Sequence, residues 1–208
     1  MYFANPTGSA IDYMLQGVIG YIDTPLQGNK RPPGVIWCAD NGCFNDKTFT
    51  EDRWWKFLVD NSHDLAKCRF ATAPDVVGDA QSTLARSAPW LPKIRDLGYP
   101  AAYVLQDGSD EHPPPWGEFD ALFIGGSTDF KLGPVARDYA IQARREGLWV
   151  HGGRVNSYKR MRAMEAIGCL SVDGTYLVFG PDVNLPKLLN WIRKLEENPA
   201  MFEWGEMK

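Results

Sequence analysis

Short runs of consecutive apolar residues recur along the chain, at 2–5, 35–40, 69–75, 101–106, 121–125, 148–152 and 170–173. Most are continuously apolar rather than alternating, which is the pattern of parallel strands covered on both faces. Between them the apolar positions return every three or four residues, which predicts helices. Ile11, Met14, Leu15 and Val18 share one helical face. Thr50 is placed to cap a helix whose first turn is acidic and whose inner face carries Trp54, Phe57 and Leu58. Residues 79–97 read as a helix interrupted at Pro89 and Pro92, hence as two pieces. A helix over 135–146 stops at Gly147. Asn156 is the expected cap of a helix that turns Met161, Met164 and Ile167 inward and ends at Gly168. Asn184 is the expected cap of a last helix over 185–197, striped by Leu185, Leu188, Leu189, Ile192 and Leu195.

Strand and helix therefore alternate through the whole chain, which predicts an α/β fold with a parallel sheet, open or closed. The polar and glycine-rich residues follow one strand after another: "DNGC", "PDVVGD", "QDGSDEHPPP", "GGSTD", "HGGRVN" and "DGTY". An open sheet gathers its ligands at one switch point, whereas a barrel draws them from many strand ends. The expectation is a compact TIM-like (β/α) barrel of seven to eight parallel strands, one domain over residues 1–208, with a tail from 199 that Phe202 and Trp204 are placed to dock. Segments 26–33 and 113–115 read as exposed loops.

Composition narrows the field. Of 208 residues, 44% are hydrophobic and 12% aromatic, enough for an ordinary globular core. Lys and Arg number 22 against 26 Asp and Glu, a formal charge of -4, which argues against a general nucleic-acid binder but leaves room for a local basic patch. No apolar run approaches the roughly 20 residues that span a bilayer, and the start "MYFANPTGSA" has no basic segment followed by an apolar one. Cys38, Cys43, Cys68 and Cys169 are scattered, which fits reduced thiols and a cytoplasmic protein. With no Cys-x2-Cys or His-x3-His spacing, no structural zinc or zinc subdomain is expected; no other metal and no cofactor is called for.

Candidate chemistry sits at the strand ends. Asp40 follows the second run, Asp75 the third and Gln106 the fourth; Gly125 and Gly126 follow the fifth, His151 the sixth and Asp173 the seventh. Each has a plain structural explanation: Asp40-Asn41-Gly42 is turn chemistry, Asp79 a helix cap, His151 a packed histidine, Asp173-Gly174 a hairpin turn. Together they would bring three carboxylates, an amide and paired glycines to one mouth, where each carboxylate raises the proton affinity of the others, as acid–base and nucleophilic work requires. Just beyond the sixth run, Arg154, Lys159, Arg160 and Arg162 form a basic segment, and Lys30 and Arg31 lie in a loop that could reach the mouth. A solvated helix face explains the basic segment equally well.

These segments, in order over about residues 35 to 180, resemble the tRNA-guanine transglycosylase superfamily. More narrowly they resemble its compact phage and bacterial paralogues that place 7-deazaguanines in DNA. "ADNGCF" is similar to the family's Asp-Ser-Gly-Gly-Phe/Tyr segment, "APDVVGD" to its base-reading Asp, "VLQDG" to its Gln-Gly segment, and "IGGS" to its Gly-Gly loop. The stretch from "WVHGGRVN" to "SVDGTY" is similar to a Met-Gly-Val-Gly segment, a helix and a closing Asp. The resemblance implies a pentosyltransferase in which Asp173 is the nucleophile and Asp40 the proton-transfer residue. Asp75, Gln106, Gly125, Gly126, Asn41 and His151 would line the base site. It implies guanine-containing DNA and a 7-deazaguanine such as preQ0 as partners, with Arg154, Lys159, Arg160, Arg162, Lys30 and Arg31 on the phosphates. The family's tRNA enzymes carry a Cys-x-Cys-x2-Cys…His zinc site that has no counterpart here, which points away from tRNA. Asn41 stands where the family has Ser, Cys43 where it has Gly, and "DGTY" lacks the usual continuation. Two alternatives remain at this level. One is a metal-dependent barrel hydrolase with Asp40, Asp75, His151 and Asp173 as ligands; the other is a non-catalytic nucleic-acid or nucleoside-binding barrel.

Overall fold

The computed structural model describes residues 1–45 and 47–200. Phe202 and Trp204, expected to dock the tail, lie outside the described residues. Eight strands, β1 (Tyr2–Ala4), β2 (Gly20–Asp23), β3 (Trp37–Ala39), β4 (Cys68–Thr72), β5 (Ala101–Leu105), β6 (Ala121–Ile124), β7 (Trp149–Gly152) and β8 (Ser171–Asp173), pair in sequence order. All pairings are parallel, and β8 returns to β1 through Tyr2↔Val172 and Phe3↔Asp173, which closes the barrel. Around it run α1 (Ile11–Leu15), α2 (Glu51–Asn61), α3 (Ala80–Ser87), α4 (Trp90–Asp96), α5 (Thr128–Lys131), α6 (Pro134–Arg145), α7 (Tyr158–Ala166) and α8 (Pro181–Glu197). The crossovers after β2 and β5, residues 24–36 and 106–120, hold no helix. Those two savings let an eight-stranded barrel close well short of the roughly 250 residues typical of the fold.

The strand absent from the sequence-based count of seven is β2. It is four residues long and begins on a glycine, which is a poor strand signal. The glycine is there because the Phe3 ring lies across it: a Cβ on Gly20 would meet that ring at 2.3 Å. Local chemistry corrects three helix boundaries. Ser157 rather than Asn156 caps α7, accepting the Arg160 amide. Gly180 precedes α8, and Asn184 lies inside that helix, its amide donating back to the carbonyls of Tyr176 and Phe179. Pro92 does not break a helix, because it falls in the first turn of α4, where its missing N–H has no intrahelical partner to lose. Thr50 and Asp79 cap α2 and α3 as their sequences predict. No helix among the described residues is long and apolar enough to cross a membrane, and all four cysteines are unpaired.

Two apolar layers hold the fold. The larger lies between the strands and the helices, and buries Trp37, Trp54, Tyr103, Leu122, Met164 and Leu188 among others. The smaller fills the barrel with Phe3, Ile22, Cys38, Phe70, Ala102 and Ala121. Inside, the rings of Phe3, Phe70 and Phe123 stand 5.9, 5.0 and 4.6 Å from the imidazole of His151, which is wholly buried. This aromatic plug closes the barrel from below, and it is the floor on which the site rests.

Where a helix is missing after β2, an ion cluster takes its place. Arg31 donates to Asp23 at 2.6 Å, to Asp64 at 3.2 Å and to Asn61 at 3.3 Å, with its guanidinium 3.5 Å above the Trp37 ring. Its side chain is 6% exposed. The sequence-based expectation that Arg31 meets nucleic-acid phosphate is thereby corrected: its donors are spent pinning the 24–36 crossover to the barrel wall. Burial pushes the Asp23 carboxyl upward and Arg31 opposes that push. Removing one partner of a buried pair leaves the other charge uncompensated. Arg31→Ala is expected to cost about 3–5 kcal/mol in chemical denaturation, whereas a loss below about 1 kcal/mol would mean that the cluster is solvated and weak.

Candidate active site

The carboxyl ends of the strands surround a cavity of about 120 Å³. This is smaller than the roughly 300 Å³ at which clefts for drug-sized ligands begin. Asp40, Asn41, Asp75, Gln106, Gly125, Gly126 and Asp173 all line it, with Thr72, Val104 and Phe123 beneath and Phe44, Val77, Lys131, Gly153 and Arg154 at the sides. Polar groups thus converge on a small space with partly apolar walls, as they do in pockets that orient one planar ligand.

Asp75 is buried with its polar neighbours, 8% exposed against 2% for Gln106 and 4% for Asn41. One carboxylate oxygen accepts the Asn41 amide at 3.1 Å and the other the Gln106 amide at 2.8 Å. Burial pushes its carboxyl upward, against those two bonds and the nearby Arg86. Asn41 is itself locked: its amide nitrogen also donates to the Ala73 carbonyl, and its oxygen accepts the Cys43 amide. The Gln106 oxygen accepts the Gly78 amide at 2.9 Å. Both amides therefore line the cavity chiefly as holders of Asp75, which keeps a spare lone pair on each oxygen for a ligand's N–H donors. Gly125 serves the same end, since a Cβ there would press on the Gln106 amide nitrogen at 3.0 Å and the Val104 side chain at 2.8 Å.

Asp40 stands just past β3, partly buried. One of its oxygens accepts the Gly42 amide at 2.9 Å, so the turn reading of Asp40-Asn41-Gly42 holds as far as it goes. The carboxyl nevertheless faces the cavity. Burial, then the charges of Asp173 and Asp75, push it up to about 6, against the Gly42 bond and Arg154. A carboxyl that gains and loses a proton near neutral pH is equipped for acid–base work.

Asp173 ends β8 across the same cavity, its side chain 13% exposed. One oxygen takes the Arg154 amide at 3.2 Å; the other takes His151 Nε2 at 2.9 Å. Behind it lies a chain of bonds with a fixed direction. Trp149 Nε1 can only donate, and it donates to Ser171 Oγ at 2.8 Å. The Ser171 hydroxyl is thus free to turn its own hydrogen to His151 Nδ1, 2.8 Å away. Nε2 then carries the ring's hydrogen and gives it to Asp173. His151 does not line the cavity, contrary to its sequence-based placement among ligand contacts; it works through Asp173, held by the aromatic plug.

Arg154 has a left-handed backbone at φ +59°, which for a residue other than glycine costs on the order of 1–3 kcal/mol. That conformation turns its amide onto Asp173, while its guanidinium lies 3.4 Å above the exposed ring of Phe44. Arg160 lines the neighbouring cavity and Lys159 is exposed on α7. Two further basic residues are placed elsewhere than expected. Arg162 pairs with Glu165 at 3.5 Å and donates to the Asn198 carbonyl, and Lys30 lines an outer groove beside α2 with Arg31. Lys131, Ser171, Phe44 and Phe123 are site residues that sequence reasoning missed. Of these Lys131 left a trace as a lone cation soon after the glycine pair, and Phe44 as the aromatic that closes "ADNGCF".

The fold and this constellation define an eight-stranded parallel barrel whose carboxylate-lined pocket opens where such barrels carry their chemistry. No protein-family model matches the chain, and no curated protein matches it. Among the described residues, no three His, Cys, Asp or Glu side chains are grouped to hold a metal ion.

Two outcomes are expected. Nitrogen-15 NMR of His151 should report a ring protonated at Nε2, with Ser171→Ala disturbing the Nδ1 signal first; a ring protonated only at Nδ1 would break the relay. Asp40 has a folded-state pKa raised above its ordinary value, so its ionisation opposes folding above pH about 6 and not below about 4. Asp40→Asn should therefore stabilise the fold at neutral pH, by on the order of 1–3 kcal/mol at most. The gain should fade as pH falls through that window, and a gain equal at every pH would overturn the assignment.

Proposed function

We propose that the protein is a transglycosylase that exchanges guanine in DNA for a 7-deazaguanine base such as preQ0, through a covalent Asp173–deoxyribose intermediate. The observation that carries this reading is the meeting of two differently equipped carboxylates, Asp40 and Asp173, over one small cavity that a third, Asp75, also lines. Guanine presents N1–H and N2–H donors on one edge, which the spare lone pairs of Asp75 suit. Val77 and Phe123 provide apolar surface for its ring, and Phe44 stands at the rim.

In the first half-reaction an Asp173 oxygen bonds to C1′ while the C1′–N9 bond breaks and its electron pair leaves with guanine. The transition state resembles an oxocarbenium ion, and the carboxylate traps it covalently. His151 and the Arg154 amide keep that carboxylate oriented. Protonated Asp40 gives its proton to the departing base. In the second half the incoming base returns a proton to Asp40, its N9 attacks C1′, and the Asp173 carboxylate is released unchanged. A duplex substrate must present the nucleotide flipped out of the stack. The hydrolase alternative lacks a grouped ligand set among the described residues. A binding-only barrel would need no carboxyl poised near neutral pH.

The two carboxylates should fail differently when replaced. Asp173→Ala should abolish both guanine release and the covalent protein–DNA adduct seen on a denaturing gel. Asp40→Asn should slow exchange by about 10²–10⁴-fold, the usual worth of a positioned acid–base group. In the wild type, adduct formation should decline as pH rises through about 6, and incorporation of the incoming base should rise over the same range. An adduct persisting in Asp173→Ala, or full activity in Asp40→Asn, would refute the assignment.

A further inference from the structure

We propose that the cavity beside the base pocket is a phosphate subsite, built by Lys131, Arg154 and Arg160, that takes the phosphate of the reacting nucleotide. Which nucleotide it serves rests on the base-exchange reading; the affinity for phosphate does not. The cavity measures about 530 Å³ and shares Val77, Gly126, Lys131 and Arg154 with the base pocket, so one ligand can occupy both. Arg160 and Asn156 line it as well, outside the base pocket.

Three observations point to an anion. First, Lys131 is buried, at 9% exposed, yet among the described residues its ammonium makes a single hydrogen bond, to the Gly153 carbonyl at 3.2 Å. An ammonium carries three donors, and a buried one is costly unless they are used. Second, none of the three cations forms a salt bridge among the described residues. The carboxylate on the cavity wall, Asp107, is already engaged, accepting the Ser127 amide at 2.7 Å and hydroxyl at 2.6 Å. Third, the cations act on one another: burial, then Arg154 and Arg160, push the Lys131 ammonium downward, against Asp173 and Asp107. An anion placed between them would reverse that repulsion.

The chemistry favours phosphate over a carboxylate. Three cations approach from α5, α7 and the loop after β7, and a tetrahedral anion offers an oxygen to each, whereas a planar carboxylate offers two. Arginine also suits phosphate through its paired donors. The position suits a nucleotide as well. With a base on Asp75 and C1′ over Asp173, the sugar lies beside Arg154, and a phosphate two or three bonds further falls within the adjoining cavity.

Calorimetric titration of the purified protein with inorganic phosphate at low salt provides the direct test, repeated for Lys131→Gln, Arg160→Gln and Lys56→Gln. Lys56 lies on α2 in an exposed pair with Asp60 and serves as the charge control. Saturable one-to-one binding is expected, weakened about 10–100-fold by each of the first two changes, the usual worth of a hydrogen bond to a charged group, and unchanged by the third. Thermal unfolding confirms that each variant is folded, and Arg160→Gln, at a partly exposed site, guards against loss of fold in Lys131→Gln. In a second arm, the 5′- and 3′-monophosphates of deoxyguanosine compete against deoxyguanosine itself; at least one should bind tenfold or more above the nucleoside. No phosphate binding, or binding indifferent to Lys131 and Arg160, would overturn the subsite. Inorganic phosphate binding as tightly as both nucleotides would overturn its assignment to a nucleotide. Phosphate binding through these residues in a protein that exchanges no base would leave the subsite standing and remove the proposed function; base exchange with variant-insensitive phosphate binding would do the reverse.

Discussion

Closing eight parallel strands leaves an interior just wide enough for side chains to fill, and in this protein the filling is aromatic. Phe3, Phe70 and Phe123 pack around His151 beneath the mouth of the barrel. Much of the rest follows from that plug. Gly20 is a glycine because Phe3 needs the room. His151 is buried and cannot swing, so its bonds to Ser171 and Asp173 are fixed by packing as much as by polarity. The cavity above is small because the rings stand directly beneath it.

The site is a balance of unlike charges that do not neutralise one another in pairs. Three carboxylates line one small space, and two of them, Asp40 and Asp75, are pushed upward by burial. Each is treated differently by its surroundings: Asp75 by two side-chain amides, Asp40 by a single backbone amide, Asp173 by a histidine and a backbone amide. Different surroundings give chemically identical groups different tasks. Against them stand Lys131 and Arg154, close enough to be felt yet in no salt bridge with them among the described residues.

The sequence carried the order of the elements well, because continuous apolar runs and strand-end polar residues are local signals. It therefore also carried the positions of Asp40, Asp75, Gln106 and Asp173 at the strand ends. It did not carry β2, whose four residues start on a glycine explained only by a ring seventeen positions earlier. Nor did it carry the work of Arg31, whose partners Asp23, Asn61 and Asp64 come together only once the barrel has closed. The relay through Trp149, Ser171 and His151 was invisible for a related reason: two of its members alternate inward along β7, but the serine that links them belongs to the next strand. Charge in a sequence gives composition, not availability. Arg154 and Arg162 look alike in a basic run, yet one stands over the mouth and the other is tied to Glu165.

The left-handed backbone of Arg154 bears on how the protein would behave under laboratory selection. A glycine at that position would relieve the strain and still offer its amide to Asp173, so a screen for heat resistance alone would favour it. The same change would erase a cation shared by two cavities and remove the guanidinium stacked on the already exposed Phe44 ring. Position 154 is therefore one where thermostability and the proposed ligand contacts pull in opposite directions, and a variant selected for heat resistance alone would lose the cation from both cavities.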